Sequence, residues 1–341
     1  TGPLDLMARR CKSFPAARLR AERLAFHSRL PGIRANMLTF AIDGFTSILE
    51  TTAAGRIQMQ RLQGRMAFIT GAASGIGRCL AIQLAAAGCN LCLVDVNAGG
   101  LKTLQDELTS SGVRVLLFPC DLTDRKAVSA TVASALRQTS GIDLLINNAG
   151  VAYYGPTDQM TQAQWDWLMS INLLAPIQIT QELLPTLLQR PDAHIVNMCS
   201  ISGLVAGGRF SAYHTSKFGL IGFTESLRAE YGRRGLGVTA ICPGPVLTNL
   251  YDAAASGRAG QKVPSPPNWM CATPERVATV TLRAILRDKR QVLITPTAHA
   301  LFQLKRFAPW LLDFVNGFSR SGRKKRKLAQ QAAKQESRRA A

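Results

Sequence analysis

Met66-Ala67-Phe68-Ile69-Thr70-Gly71-Ala72-Ala73-Ser74-Gly75-Ile76-Gly77 is the stretch that decides the fold. A short apolar run meets a glycine turn, and a helical pattern then opens over 75–88. A run of this kind, without polar alternation, reads as a strand covered on both faces. Small residues at the turn let the backbone approach a pyrophosphate closely. The N–H groups and the positive end of the following helix then attract the anion. A glycine-rich turn alone is weak evidence; a strand before it and a helix after it give it weight.

The same grammar repeats on the C-terminal side. Leu91–Asp95, Val113–Phe118, Ile142–Asn147, Ile195–Cys199, Val238–Cys242 and Gln291–Thr295 are six further short apolar runs. Helix-length stretches separate them at 98–111, 123–139, 161–189, 211–233 and 273–288. Alternation of this kind predicts an α/β fold: one Rossmann-like, doubly wound parallel sheet of about seven strands, with helices on both faces. Ligands in such sheets sit beyond the carboxyl ends of the strands, where the strand order reverses. Asp95 ends the second run, 18 residues beyond Gly77. A carboxylate there accepts hydrogen bonds from both ribose hydroxyls of an adenosine and repels a 2′-phosphate. Ser74, not a basic residue, precedes Gly75, and no Arg or Lys stands beside Asp95. These residues favour NAD over NADP. A turn or helix-cap aspartate is the plainer reading of Asp95.

The chain has 341 residues, 47% hydrophobic and 18% charged, which suits a globular core and argues against wholesale disorder. No run of 18 apolar residues is present, so a spanning helix is not expected. The net charge of +20 first points to a polyanion, but its distribution does not. Residues 1–65 hold 11 basic and 4 acidic residues, 66–302 hold 19 and 15, and 303–341 hold 11 and 2. A nearly balanced centre with two basic ends is not the pattern of a nucleic-acid-binding core, and no specific nucleic-acid partner is expected. Eight Cys are scattered; Cys89 and Cys92 form one C-x-x-C with no second pair, so no metal site is expected. Free thiols in this number fit a reducing, cytoplasmic compartment.

Tyr213 and Lys217 lie four apart in Tyr213-His214-Thr215-Ser216-Lys217, on one face of a helical stretch. An ammonium beside a phenol stabilises the phenolate and draws its pKa down from about 10 toward working pH. Such a Tyr can give or take a proton at a carbonyl or alcohol oxygen. The pair also occurs by chance. Ser200 closes the fifth run in Asn197-Met198-Cys199-Ser200, where it could bond the same oxygen. Asn172 sits inside the long 161–189 stretch; its plain reading is a side chain satisfying a local backbone group. His214 is expected to point off the catalytic face. His194 precedes a strand and has no convergent partner in the sequence.

Taken together, these motifs resemble the short-chain dehydrogenase/reductase family over about residues 66–295. The Thr-Gly-x-x-x-Gly-x-Gly loop stands at 70–77, and Asn147-Asn148-Ala149-Gly150 follows the fourth run. Asp121 and Leu122 match the pair that meets the adenine. Asn172, Ser200, Tyr213 and Lys217 match the catalytic tetrad. Pro243-Gly244-Pro245-Val246-Leu247-Thr248 matches the loop that meets the nicotinamide. The resemblance implies an NAD(P)-dependent oxidoreductase interconverting a secondary alcohol and a ketone. Tyr213 would be the general acid/base and Lys217 would lower its pKa and hold the nicotinamide ribose. Ser200 would orient the substrate oxygen, and Asn172 would fix a proton-relaying water. Gly71, Ser74, Gly75, Ile76, Gly77, Asp95, Asp121, Leu122, Asn148, Ala149, Gly150, Tyr213, Lys217, Pro243, Gly244, Val246 and Thr248 would hold the cofactor. Asn148 also reads as a polar link between strands, and Thr248 equally as a helix-starting residue. The resemblance further implies a homodimer or homotetramer built on the Tyr213 helix. The alternative reading is a non-catalytic dinucleotide sensor or scaffold of the same fold.

Residues 249–272 read as a Gly- and Pro-rich substrate lid containing Trp269 and Met270. With Val151, Tyr153, Tyr154 and Val205 they point to an apolar substrate. Residues 1–65 read as a basic extension, disordered or non-native; its first 36 residues, Arg-rich and acid-poor, also resemble an organelle transit peptide. The catalytic domain is expected at 66–297. Over 298–341 an amphipathic helix, kinked at Pro309, precedes the basic run Arg323–Lys327. Contact of 298–327 with an anionic membrane, or packing of the helix on the core or a partner subunit, both fit this pattern.

Overall fold

The computed structural model describes residues 62–248, 250, 254–256 and 266–314. The chain divides after Arg56, and the described residues all belong to the unit Ile57–Ala341. The expected N-terminal extension, apart from 62–65, and the basic run Arg323–Lys327 lie outside the described residues.

The first half runs β1 (Met66–Thr70), α1 (Gly75–Ala86), β2 (Asn90–Asp95), α2 (Ala98–Glu107), β3 (Val115–Pro119), α3 (Arg125–Gln138) and β4 (Leu144–Asn147). The second runs β5 (Tyr153–Tyr154), α4 (Gln162–Met169), a π-helical turn (Ser170–Leu174), α5 (Ala175–Leu187) and β6 (His194–Met198). It continues through α6 (Ser211–Tyr231), β7 (Gly237–Pro243), β8 (Ala255–Ser256), α7 (Pro274–Leu286), β9 (Gln291–Ile294) and α8 (Pro296–Phe307).

Seven of these strands form one parallel sheet in the order β3-β2-β1-β4-β6-β7-β9. The order reverses between β1 and β4, which opens the crevice expected of such sheets. Alternate residues of β1 serve opposite faces. Ala67 and Ile69 pack with Leu80 and Leu84 of α1 and Val277 and Ile285 of α7. Met66 and Phe68 pack with Val128 and Val132 of α3 and Ile179 and Leu183 of α5. Each fully buried Leu or Ile stabilises the fold by about 1.5–3 kcal/mol. Covering on both faces explains the lack of polar alternation in the sequence.

Two expectations need correction. The 161–189 stretch is not one regular helix. Pro176 has no N–H to give the carbonyl of Asn172, so the ladder widens, and Ala175 N–H bonds back to Ser170 instead. The second correction is a small parallel pair, β5 with β8, that joins the segment after β4 to the lid region. Two-residue strands carry no period from which to read them. The Pro309 kink appears as expected: α8 ends at Phe307, Ala308 leaves helical geometry at φ −141 and ψ 59, and helix resumes over 309–314. A residue before proline is driven out of the α region.

Candidate active site

The glycine turn after β1 is built from close approaches. Gly71 has φ +65, and a Cβ there would stand 2.8 Å from the Ala149 Cα. A Cβ at Gly77 would collide with the Gly71 carbonyl oxygen. No other residue type fits these two positions without moving the turn. Ser74 is the extended N-cap residue of α1 and makes no side-chain cap bond. The first-turn N–H groups of α1, at Gly75, Ile76 and Gly77, lack intrahelical acceptors and face outward along the helix axis.

Asp95 and Asp121 follow one another on the carboxyl edge. Asp95 closes β2, and its backbone carbonyl accepts the Cys120 N–H at 2.9 Å. Its carboxylate takes Ala73 N–H and Asn97 N–H, both at 3.0 Å, and so ties the glycine turn to the end of β2. The turn reading of Asp95 is therefore present in the structure. Asp121 accepts both the amide and the hydroxyl of Thr123 at 2.8 Å, while Leu122 packs against the core.

Asn148 bridges the crevice floor. Its amide donates to the Thr70 and Gly71 carbonyls at 3.0 and 3.1 Å, and its N–H donates to the Thr70 hydroxyl at 3.0 Å. The same hydroxyl accepts the Ala149 N–H at 3.1 Å. The strand-linking role of Asn148 is thus present. On the far wall, Gly244 N–H bonds the Ile294 carbonyl. Val246 pairs with Ala272, and its side chain goes to the core, which leaves only its backbone for a ligand. Thr248 lies over Gly75: a Cβ on that glycine would be 3.4 Å from the Thr248 methyl. Thr248 thus faces the glycine turn.

The substrate side gathers around Lys217. The π turn aims Asn172 inward, fully buried, where its amide brackets the backbone of Val151, accepting N–H and donating to C=O at 2.8 Å each. It also donates to Ser216 at 3.2 Å. The partners are not local, contrary to the plain expectation. A Cβ on Gly150 would stand 3.5 Å from both Asn172 Oδ1 and Lys217 Nζ, so the two groups flank that glycine. Lys217 is 3% exposed and donates to the Met198 carbonyl at 2.9 Å. Burial holds its pKa below the usual ammonium range, with Cys199 and Cys242 opposing weakly. Its Nζ stands 5.8 Å from the Tyr213 ring centroid.

Ser200 follows β6 and caps a short 3-10 turn, Ile201–Gly203, accepting Ser202 N–H at 3.1 Å. That turn presses on α6, since a Cβ on Gly203 would strike the Lys217 carbonyl. His214 points off the Tyr213–Lys217 face, as expected, but it is not idle. Its Nδ1 meets the Ser202 carbonyl at 2.9 Å, and its Nε2 accepts Gly207 N–H at 3.0 Å. This fixes the neutral Nδ1–H tautomer, and the mainly burial-driven drop in pKa agrees. The Tyr-His adjacency was visible in the sequence; the loop it clamps was not. His194 likewise finds a partner that the sequence hid, Thr239 at 2.8 Å on the neighbouring strand, and burial lowers its pKa to about 4.

Tyr213 packs against the cluster of Tyr153, Leu168 and Ala212, which Val151, Met160, Trp165 and Trp167 also border. Phe210 stands 6.3 Å from it and 5.0 Å from Tyr154, centroid to centroid. Trp269 is 81% exposed. Among the described residues no group of three or more His, Cys, Asp or Glu could hold a metal.

A glycine cradle that excludes Cβ atoms, a helix N-terminus and two edge carboxylates fit a dinucleotide. A phenol beside a buried ammonium fits proton transfer at an oxygen. Together they define an α/β dinucleotide-dependent oxidoreductase. A family model described as short chain dehydrogenase matches residues 65–259. D-threitol dehydrogenase of Mycolicibacterium smegmatis is 35% identical over 223 residues, covering 65% of this chain and 86% of that protein. Dehydrogenase/reductase SDR family protein 7-like of Anopheles gambiae is 30% identical over 279 residues, covering 80% and 88%. A short chain dehydrogenase/reductase from Burkholderia phymatum, solved with NAD, superposes with a TM-score of 0.67 at 28% identity, covering 74% and 96%. A metagenomic short-chain oxidoreductase solved with NADP gives 0.59 at 27%, covering 69% and 98%. The chain belongs to the short-chain dehydrogenase family and is an NAD(P)-dependent oxidoreductase.

Proposed function

We propose that this enzyme interconverts an apolar secondary alcohol and its ketone, with NAD preferred over NADP. The observation that carries the catalytic reading is the Lys217 ammonium, buried beside Tyr213 and Asn172 with a single carbonyl acceptor identified. Burying a charge is costly, and a sensor or scaffold gains nothing from it. In this reading Tyr213 gives the proton to the ketone oxygen during reduction and takes it from the alcohol during oxidation. Ser200 orients that oxygen and stabilises its developing charge. Lys217 favours the phenolate, and Asn172 positions a water between Lys217 and solvent. The bound nicotinamide supplies or accepts the hydride.

Gly71, Ser74, Gly75, Ile76 and Gly77 would hold the pyrophosphate, and Asp95 the adenosine ribose. Asp121 and Leu122 would flank the adenine. Asn148, Ala149 and Gly150 would form the floor, with Pro243, Gly244, Val246 and Thr248 at the nicotinamide. The Asp95 carboxylate and the absence of a basic residue at Ser74 support NAD. The aromatic surroundings of Tyr213 support an apolar substrate. Leu174 and Phe218, exposed at 48% and 38% beside α5 and on α6, support a homodimer or homotetramer.

The test is turnover of NADH and NADPH with a panel of aliphatic, aryl and polyhydroxy ketones. The expected result is faster reduction of the apolar ketones, and faster with NADH. Tight NADH binding without turnover across the panel would instead support the sensor.

A further inference from the structure

α8 borders the site at both of its ends. Thr295, its N-cap residue, accepts Ala298 N–H at 3.1 Å and lies so close to Gly244 that a Cβ there would strike its hydroxyl. Near the other end, Lys305 donates to the Leu204 carbonyl at 2.5 Å, in the turn that follows Ser200. The same ammonium stands 4.7 Å from the Phe218 ring centroid. The helix therefore runs from the nicotinamide loop to the Ser200 turn, along the substrate side.

Its outer surface is unlike the rest of the domain. Only Ala298 of α8 is buried. Phe307 is 75% exposed and Trp310 67% exposed, with Lys305 and Arg306 beside them. Single exposed apolar residues are ordinary; two large aromatics three positions apart on one segment are not. Residues 315–341 then add nine basic residues against one acidic. A protein surface able to cover this segment would need a matching acidic patch. An anionic bilayer supplies both the charge and an interfacial layer that suits Trp and Phe.

We propose that α8, residues 309–314 and the basic tail dock the enzyme on an anionic lipid bilayer, with Phe307 and Trp310 in the headgroup layer. The substrate side then faces the membrane. Delivery of an apolar alcohol or ketone from the bilayer rests on the proposed substrate class; the docking itself does not. No helix among the described residues is long and apolar enough to cross a membrane.

The experiment is flotation of the full-length protein, with NAD present, on two kinds of vesicle. One is phosphatidylcholine alone; the other contains about 30 mol % phosphatidylglycerol. The protein is expected to float with the anionic vesicles only. Phe307→Ser with Trp310→Ser should weaken that binding about tenfold and leave reduction of a small water-soluble ketone unchanged. Removing Lys324 or Lys325 should weaken it about fivefold each, the equivalent of about 1 kcal/mol per charge. Tyr213→Phe should float like the parent, which keeps this result independent of the catalytic assignment. Absence of flotation by the parent, equal flotation on neutral vesicles, or equal flotation of the double variant would each overturn the proposal. So would a fall in molar mass of the double variant by light scattering without vesicles, which would assign the stripe to a second copy of the chain.

Discussion

The cofactor half, Met66 to Gly150, and the substrate half, Val151 to Phe307, are held together differently. In the first, the decisive contacts crowd the carboxyl ends of adjacent strands: Gly71 lies against the backbone of Ala149, and the Asn148, Thr70 and Asp95 side chains bond backbone groups of the glycine turn and of the β4 edge. Gly71 and Gly77 are glycine because atoms of Ala149 and of Gly71 occupy the space a side chain would need. In the second, side chains reach across the fold: Asn172 to Val151, His214 to Ser202 and Gly207, Lys305 to Leu204. The glycine turn of the first half is a cradle that a Cβ at position 71 or 77 would spoil. The second is a set of adjustable braces around a proton-transfer centre. This division lets one cradle serve many substrates, because the braces can change without touching it.

Substitutions can break that comparison. The largest effect expected is at Lys217. Lys217→Met should lower kcat by 10²-fold or more, the usual scale for losing an acid–base system. Its melting temperature should not fall, because a buried ammonium is removed. A parallel loss of activity and stability would show that Lys217 is a structural brace instead.

Acid stability comes next. His194 is buried neutral, and its pKa is lowered from the usual 6.5 to about 4. Between those values the unfolded chain binds the extra proton, so stability is full above pH 6.5 and declines as the pH falls toward 4. The loss amounts to roughly 3 kcal/mol. Denaturant melts of the parent and of His194→Gln across that window should diverge, with the variant showing the flatter profile.

Gly77→Ala should fold but bind NADH about tenfold or more weakly, since the turn must move to admit the methyl. Unchanged affinity would remove the claim that backbone approach sets the cradle. The smallest effect is at His214. His214→Phe should raise the substrate KM several-fold through a looser Ser200 turn and leave NADH affinity alone. His214→Asn, which keeps a donor near the Nδ1 position, should recover part of the loss. A change in NADH affinity instead would join His214 to the cradle.

Legibility followed the same division. All seven strands of the main sheet stand where the apolar runs predict them, because burial on both faces marks nearly every residue of the central strands and the edge strands β3 and β9 are still half-buried. The glycine turn is local and readable from its neighbours; Asp95 and Asn148 are readable as residues at the ends of apolar runs, although the bonds they make to Ala73, Thr70 and Gly71 are not. The π turn is not legible: a proline within a helical stretch does not by itself show whether the ladder kinks, ends or widens, and here it widens. Nor are the braces, since nothing near His214 in sequence names Gly207, and nothing near His194 names Thr239. The pairing of β5 with β8 was hidden for the simplest reason, two residues being too few to show alternation. Hydrophobic patterning reports layers; it does not report which distant polar atoms meet.

The central claim is that Tyr213 moves the proton while the cofactor is held mainly by groups other than its hydroxyl. It is tested most directly by kcat for ketone reduction at saturating NADH, parent against Tyr213→Phe, with NADH affinity measured alongside by fluorescence. The account predicts a loss of about 10²–10⁴-fold in kcat, the range for general acid–base catalysis, at unchanged NADH affinity. A Tyr213→Phe enzyme that turns over at the parent rate would contradict it.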